Sequence, residues 1–123
     1  MMAPTIIEHA DNKLTVLGSG GSNRIRTAML QVIVNLIDQS MELKEAIDAP
    51  RIHFENNMLN TECIKHTAVI DSLQTEFDGF LPWKSRNMFF GGVHAVSISA
   101  PGNNNAKYQA VGDSRRDGAF WYC

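Results

Sequence analysis

The sequence has few cysteines and no strong charge of either sign. Its 123 residues include two cysteines, Cys63 and Cys123, and neither lies in a CxxC motif or at a zinc-like spacing from a histidine. Two cysteines cannot build the disulfide framework of a small secreted domain, and they leave the redox compartment open. The net charge is −2, so no basic surface is available to hold nucleic acid as a default partner.

Long apolar runs and common catalytic motifs are also missing. No run approaches the roughly 20 apolar residues of a membrane-spanning helix, so we expect no membrane contact from this chain. It has no P-loop lysine after its glycines, no GxGxxG spacing and no serine in GxSxG. The histidines form no HxxxH or Cys/His group, and we therefore assign neither a metal nor another cofactor. These histidines are His9, His53, His66 and His94.

Hydrophobic residues make up 44% of the chain, which is enough for one core and predicts a single domain over residues 1–123. Short β-branched segments separated by turn residues predict three strand hairpins. The paired segments are Thr5–Glu8 with 13–17, 51–55 with 58–62, and 92–99 with 107–111. The middle hairpin turns at Asn56 and Asn57, because asparagine tolerates the positive φ angles of a two-residue turn.

Helical spacing of apolar residues predicts helices at 24–38, after residue 40, and at 67–77. The first has a single polar stripe and so wide an apolar surface that it should be largely buried. Ser40 is the expected cap of the second helix, which Pro50 ends. Hairpins interrupted by helices indicate an α+β fold with a mostly antiparallel sheet.

A glycine-rich segment, GSGGSNRIR at residues 18–26, leads into the first helix. Free N–H groups and the helix dipole make such a junction suitable for an anion. The alternative is a tight turn in which Ser22 or Asn23 caps the helix. Arg24 and Arg26 either strengthen the attraction for an anion or pair with nearby carboxylates. Near the other end, the charged residues of segment 113–117 predict a salt-bridged turn.

Five segments, in this order, resemble the C-terminal part of the small subunit of γ-glutamyltranspeptidases. They are MAPTII at residues 2–7, GSGGSNRI at 18–25, EAIDAPRIH at 45–53, GGVHAV at 91–96 and GDSRRDG at 112–118. Each motif alone is weak, but five in the right order are specific. The resemblance covers essentially the whole chain.

The resemblance implies the four-layer αββα sandwich of N-terminal-nucleophile hydrolases and a precursor that cleaves itself into two subunits. In this family a threonine at the new N-terminus attacks the γ-glutamyl amide of glutathione and related compounds. The acyl-enzyme then passes its glutamyl group to water or an amino acid. Such a threonine uses its own α-amino group as base, so no catalytic histidine is required.

The family also implies a site. A Gly-Gly pair in this loop presents backbone N–H groups to the oxyanion, and without a gap it aligns with Gly21 and Ser22, while Gly20 takes the place of a common proline. A shifted alignment would use Gly20 and Gly21 instead. The family's serine pair, which binds the substrate α-carboxylate, would end at Met1. We therefore expect the nucleophile and the substrate-binding serines outside this chain, in the remainder of the precursor. The resemblance favours a periplasmic or extracellular enzyme, with a cytoplasmic one still open.

Two other hypotheses remain. The chain could be a non-catalytic module that binds an anionic ligand at the helix N-terminus between Gly18 and Arg24. It could also be a structural domain in which the glycine-rich segment is only a turn.

Overall fold

The structure is a computed structural model that describes residues 2–121, so Met1 and Cys123 lie outside the described residues. Within these described residues, seven strands, three α-helices and two short 3-10 turns follow one another. The strands are β1 (Thr5–Glu8), β2 (Lys13–Gly20), β3 (Ile52–Glu55), β4 (Met58–Glu62), β5 (Gly79–Trp83), β6 (Gly92–Ser99) and β7 (Lys107–Val111). The helices are α1 (Arg24–Ile37), α2 (Leu43–Asp48) and α3 (Thr67–Glu76), and the 3-10 turns are Met88–Phe90 and Ser114–Arg116.

The larger sheet has the order β1-β2-β6-β7, and all its neighbours are antiparallel. Side chains alternate between its two faces. Leu17, Ala95 and Val111 lie in one row across the sheet and are buried against the helices. Val32 of α1 and Ile47 of α2 are fully buried in the same cluster. The core therefore lies between one face of this sheet and the first two helices.

The opposite face of this sheet is open. Ile6, Val16, Val96 and Ala110 form a row across the four strands on that face. Ile6 is 67% exposed, and Val16 and Val96 are each about 40% exposed. An apolar row of this kind is the surface that a further layer of a sandwich covers.

The smaller sheet has the order β3-β4-β5. Asn56 and Asn57 both have positive φ angles, 52° and 57°, as the tight turn between β3 and β4 requires. Strand β5 lies parallel to β4, and α3 forms the crossover between them. None of the residues of α3 is buried. No helix among residues 2–121 is long and apolar enough to cross a membrane.

The predicted α+β class, the three hairpins and the three helices are confirmed, but three details were wrong. The first helix is buried on one face alone, and Leu30 and Ile37 are 61% and 52% exposed. Its polar stripe instead faces protein: Gln31 exchanges hydrogen bonds with the backbone of Ile52, and Asn35 donates to the Ala46 carbonyl. Polar side chains that bond neighbouring backbone groups in this way leave apolar ones on the outer face.

The other two corrections concern local segments. Ser40 does not cap α2, because Glu42 precedes the helix and Ser40 has a left-handed φ of 51°. Strand β5, which follows the third helix, was not predicted from the sequence. Its pairing with β4 is a long-range contact that local composition does not encode.

Candidate active site

The loop formed by the glycine-rich segment is shorter than the sequence predicts. Strand β2 continues through Gly20, because β6 supplies backbone partners as far as the pair Gly20 and Gly92. The loop proper is residues 21–23. Gly21 has a φ of 139° and Ser22 a φ of 58°, so both residues adopt backbone conformations that glycine favours.

The loop leads into α1 without a side-chain cap, so the predicted capping by Ser22 or Asn23 was wrong. The Asn23 side chain instead donates to the Glu55 carboxylate at 2.8 Å. The Gly21 carbonyl accepts from Arg24 N–H at 3.3 Å, and the Ser22 carbonyl accepts from Ile25 N–H at 3.1 Å. None of the hydrogen bonds within residues 2–121 uses the N–H group of Gly21 or Ser22. The Ser22 N–H therefore has no hydrogen-bond partner among residues 2–121, whereas the antiparallel bridge between Met2 and Gly20 directs the Gly21 N–H toward the β1 side of the sheet.

Close backbone contact explains why the loop needs a glycine at position 21. A Cβ at Gly21 would lie 3.2 Å from the Gly91 Cα and 3.2 Å from Nη2 of Arg116. Gly91 itself has a φ of 76°, and a Cβ there would lie 3.4 Å from the Ala28 Cβ. The loop is thus packed directly against the turn that precedes β6.

A shallow pocket of about 430 Å³ opens beside the loop. It is lined by Gly21, Ser22, Arg24, Met88, Phe89 and Arg116. The Arg24 guanidinium lies 4.3 Å from the centre of the Phe89 ring, and its Nη2 is 3.9 Å from the Glu55 carboxylate. A cation over an aromatic face is attracted by the ring quadrupole, which favours this position of Arg24.

The ring under Arg24 is itself supported by neighbours. Trp83 stacks on Phe89 at 5.1 Å, and His53 meets the ring edge-on at 6.0 Å. The Nδ1 atom of His53 lies 2.9 Å from the Thr27 hydroxyl. Hydrogen bonds from Asn23 and then from His53 lower the pKa of Glu55, so this carboxylate stays ionised beside Arg24.

Beneath the pocket lies a buried cluster of two arginines and two acids: Arg51, Glu62, Asp113 and Arg115. Arg51 Nη2 is 2.7 Å from Asp113 Oδ2, and Arg115 Nη2 is 2.6 Å from Glu62 Oε2. Arg115 also pairs with Asp113 at 3.3 Å. The four charges cancel, and pairing and hydrogen bonding offset part of the free energy lost by burying them. Nε of Arg51 is buried and has no hydrogen-bond partner among residues 2–121.

The cluster holds the backbone around Gly91. Nη1 of Arg51 donates to the carbonyls of Phe90 and Gly91 at 3.3 and 3.4 Å. The Asp113 carboxylate accepts from Val93 N–H at 2.8 Å. Burial acts to raise the pKa of Asp113, but Arg51 and the backbone N–H donors outweigh it and hold that pKa below its ordinary value. Since Gly91 supports Gly21, these contacts connect the cluster to the loop.

The predicted salt-bridged turn at residues 113–117 is confirmed for Asp113 and Arg115 alone. Arg116 makes no ion pair with any residue in 2–121. Its side chain instead lies along Gly92, where a Cβ would be 2.7 Å from Arg116 Cδ. Sequence patterns did not identify the partners of the cluster, because Glu62 lies in a strand with no motif. Within residues 2–121 no three His, Cys, Asp or Glu side chains are grouped to hold a metal ion.

The chain is similar to known proteins over its whole length. Residues 1–123 match the family model described as gamma-glutamyltranspeptidase. The glutathione hydrolase proenzyme of Bacillus subtilis (strain 168) is 30% identical over 119 residues, which are 96% of this chain and 19% of that protein. The acylase ACY 1 proenzyme of Pseudomonas sp. (strain SE83) is 40% identical over 101 residues, which are 82% of this chain and 18% of that protein.

A solved structure is also similar. The transpeptidase enzyme CapD of Bacillus anthracis superposes with a TM-score of 0.81 and 27% identity, over 99% of this chain and 70% of that chain. The chain spans less than a fifth of the length of the curated relatives it matches. The likeness therefore concerns one part of those proteins.

Proposed function

Because the chain belongs to the γ-glutamyltranspeptidase family, we propose that the complete protein cleaves γ-glutamyl amide bonds of glutathione and related compounds. The glutamyl group then passes to water or to an amino acid. The fold is of the N-terminal-nucleophile hydrolase type. In this proposal the open face of the larger sheet is covered by the remaining layers of the sandwich, which the rest of the precursor supplies.

The observation that supports the proposal is the position of the N–H groups of Gly21 and Ser22. They are adjacent, they lie at the N-terminus of a 14-residue helix, and they border an open pocket. Donors already aimed at the position of a developing negative charge lower the barrier to acyl transfer. Both residues act through the backbone, so a serine in place of the family's second glycine retains the function.

The covalent step requires a nucleophile, and we assign it to a threonine at the N-terminus of the small subunit. Its hydroxyl oxygen attacks the γ-carbonyl carbon, its α-amino group takes the proton, and the carbonyl oxygen becomes an oxyanion beside Gly21 and Ser22. Collapse of this intermediate expels the amine, which takes up a proton. Water or an acceptor amine then attacks the ester carbonyl through a second oxyanion at the same place.

The test uses the complete natural protein. Its mass should exceed the 13.7 kDa of these 123 residues several-fold, and on maturation it should divide into two chains, one of which begins with threonine. It should release glutamate from glutathione, and an added dipeptide acceptor should yield a γ-glutamyl product. A protein that binds anions but releases no glutamate would instead support the non-catalytic module.

A further inference from the structure

We propose that Glu55 is a positioning residue for the oxyanion loop, residues 21–23. Its carboxylate anchors the residues that follow Ser22 and thereby fixes the direction of the Ser22 N–H group. This inference rests on the function proposed above and adds to it a residue that acts without contacting the substrate. Glu55 is the last residue of β3 and lies 32 positions from Asn23 in the sequence. The hairpin of β3 and β4 therefore brings an acid to the start of α1.

Both oxygens of the Glu55 carboxylate face the N-terminal end of α1. Oε1 accepts a hydrogen bond from Nδ2 of Asn23 at 2.8 Å, and Oε2 lies 3.9 Å from Nη2 of Arg24. The helix has no acid in its own first turn and no side-chain cap. Glu55 supplies a negative charge at this position, where the helix dipole favours one. A side chain from another strand thus takes the place of a cap within the helix.

Further contacts along the same side of α1 hold β3 in place. Oε2 of Glu55 is 3.4 Å from Nε2 of His53, which is buried, and Nδ1 of His53 is 2.9 Å from the Thr27 hydroxyl. One turn further along the helix, Gln31 exchanges hydrogen bonds with the Ile52 backbone at 2.8 and 2.9 Å. Strand β3 is therefore bonded to three successive turns of α1, and the contact through Glu55 is the one beside the loop.

The loop requires an anchor because Ser22 has an unfavourable backbone conformation. Its φ of 58° is left-handed, and a residue with a Cβ keeps this conformation only where its surroundings hold it. On one side of Ser22, the close contact of Gly21 with Gly91 holds the chain. On the other side, Glu55 holds Asn23. Without this second contact, rotation about the N–Cα bond of Ser22 turns the peptide that carries its N–H group relative to α1.

Glu55→Ala in the complete natural protein tests the anchor. We expect kcat for release of glutamate from glutathione to fall about tenfold with KM little changed, because loss of a hydrogen bond to a charged group has effects of this size. Glu55→Gln keeps an acceptor for Asn23 and should stay within about threefold of the wild type, since a long, partly exposed ion pair contributes little. Glu76→Ala is the matched control, because Glu76 is exposed at the end of α3 and does not line the pocket. It should leave kcat unchanged.

A double-mutant cycle shows whether the Asn23–Glu55 hydrogen bond is responsible. Asn23→Ala removes the other partner and should lower kcat about as much as Glu55→Ala. The double variant should be no slower than either single variant, because the effects of two residues that share one contact do not add. Losses that multiply in the double variant would overturn the inference. If Glu55→Ala does not fold, a lower kcat in folded Asn23→Ala supports the inference and an unchanged kcat contradicts it.

Binding of an anionic tetrahedral adduct separates positioning of the N–H group from a general loss of structure. A boronic acid analogue of glutamate, with boron in place of the γ-carbonyl carbon, forms such an adduct with a threonine hydroxyl. Norvaline has a methyl group at the same position and forms none. We expect Glu55→Ala to bind the boronic acid about tenfold more weakly, in proportion to its loss of kcat, and norvaline as tightly as the wild type does.

The outcomes of these experiments are distinguishable. Equal weakening of the boronic acid and norvaline, or an unchanged kcat in a folded Glu55→Ala enzyme, would overturn the inference and leave the proposed function intact. A wild-type protein that releases no glutamate from glutathione would instead refute the proposed function.

Discussion

Replacement of Gly21 by alanine tests the proposed oxyanion loop with one added methyl group. The new Cβ would lie 3.2 Å from the Gly91 Cα, below the roughly 3.5 to 4.0 Å of a normal carbon contact. The φ of 139° at this position is also unfavourable for any residue with a Cβ. Holding that conformation costs on the order of 1–3 kcal/mol. To escape the strain, φ must rotate by at least about 60° to reach the extended region.

That rotation has a direct consequence for catalysis. The Ser22 N–H follows the N–Cα bond of Gly21, so the rotation changes its direction and the loop loses the arrangement of donors proposed for the oxyanion. Loss of one oxyanion donor typically lowers turnover by about a hundredfold to a thousandfold. We therefore expect kcat for glutathione hydrolysis by Gly21→Ala to fall by that factor with KM little changed, as measured by glutamate release from the mature enzyme.

Two changes at the next residue complete the experiment. Ser22→Ala removes the hydroxyl and keeps the N–H, so turnover should stay within about threefold of the wild type. Ser22→Gly should be at least as stable as the wild type, because glycine adopts a φ of 58° without a Cβ penalty. Full activity of a folded Gly21→Ala enzyme would refute the assignment. Loss of activity in a folded Ser22→Ala enzyme would show that the hydroxyl is the working group.

Three further predictions concern the buried cluster, the open sheet face and the chain by itself. Asp113→Asn leaves two buried arginines with one acid, and we expect it to lower the free energy of unfolding by about 3–5 kcal/mol, measured by urea denaturation. Since the folded state holds the pKa of Asp113 below its ordinary value, the unfolded state binds the proton first as pH falls below about 4, so stability decreases there. In Asp113→Asn the free energy of unfolding should fall less steeply below about pH 4 than in the wild type. The same pH dependence of stability in both proteins would contradict the argument. Residues 1–123 alone should self-associate in sedimentation experiments through the row that contains Val16 and Val96, and Val16→Lys should weaken the association; a monomer at high concentration would count against this. The same chain should release no glutamate from glutathione above a heat-treated sample, and measurable release would mean that it carries its own nucleophile.

Most of the secondary structure was predictable because turns and strands are indicated by the type and spacing of neighbouring residues. The turn at Asn56 and Asn57 and the alternation in β6 follow from residue type and spacing. The apolar surface of α1 was interpreted as buried because a sequence pattern shows which residues are apolar but not what covers them. Leu30 is exposed in this chain, whereas Gln31 is not, since Gln31 bonds the Ile52 backbone.

The candidate site was also predicted from the sequence only in part. Gly21 and Ser22 were located from an ordered set of motifs, and the structure supplies the reason for the glycine, which is the close contact with Gly91. The meeting of Arg24 and Arg116 was not predictable, because 91 residues separate them and no periodicity relates the two segments. Glu62, the ion-pair partner of Arg115, was not predictable for the same reason.

The buried cluster also sets an order for the synthesis of the protein. Asp113 and Arg115 pair with Arg51 and Glu62, which precede them by 62 and 53 positions. A ribosome adding about 5–20 residues per second needs several seconds to cover that distance. During this interval Arg51 and Glu62 have been synthesised, but their later partners have not. The turn at Gly91 can therefore take its final form only after nearly all of this chain has been translated, and a nascent chain that stops before Asp113 should present an unsupported loop to proteases and chaperones.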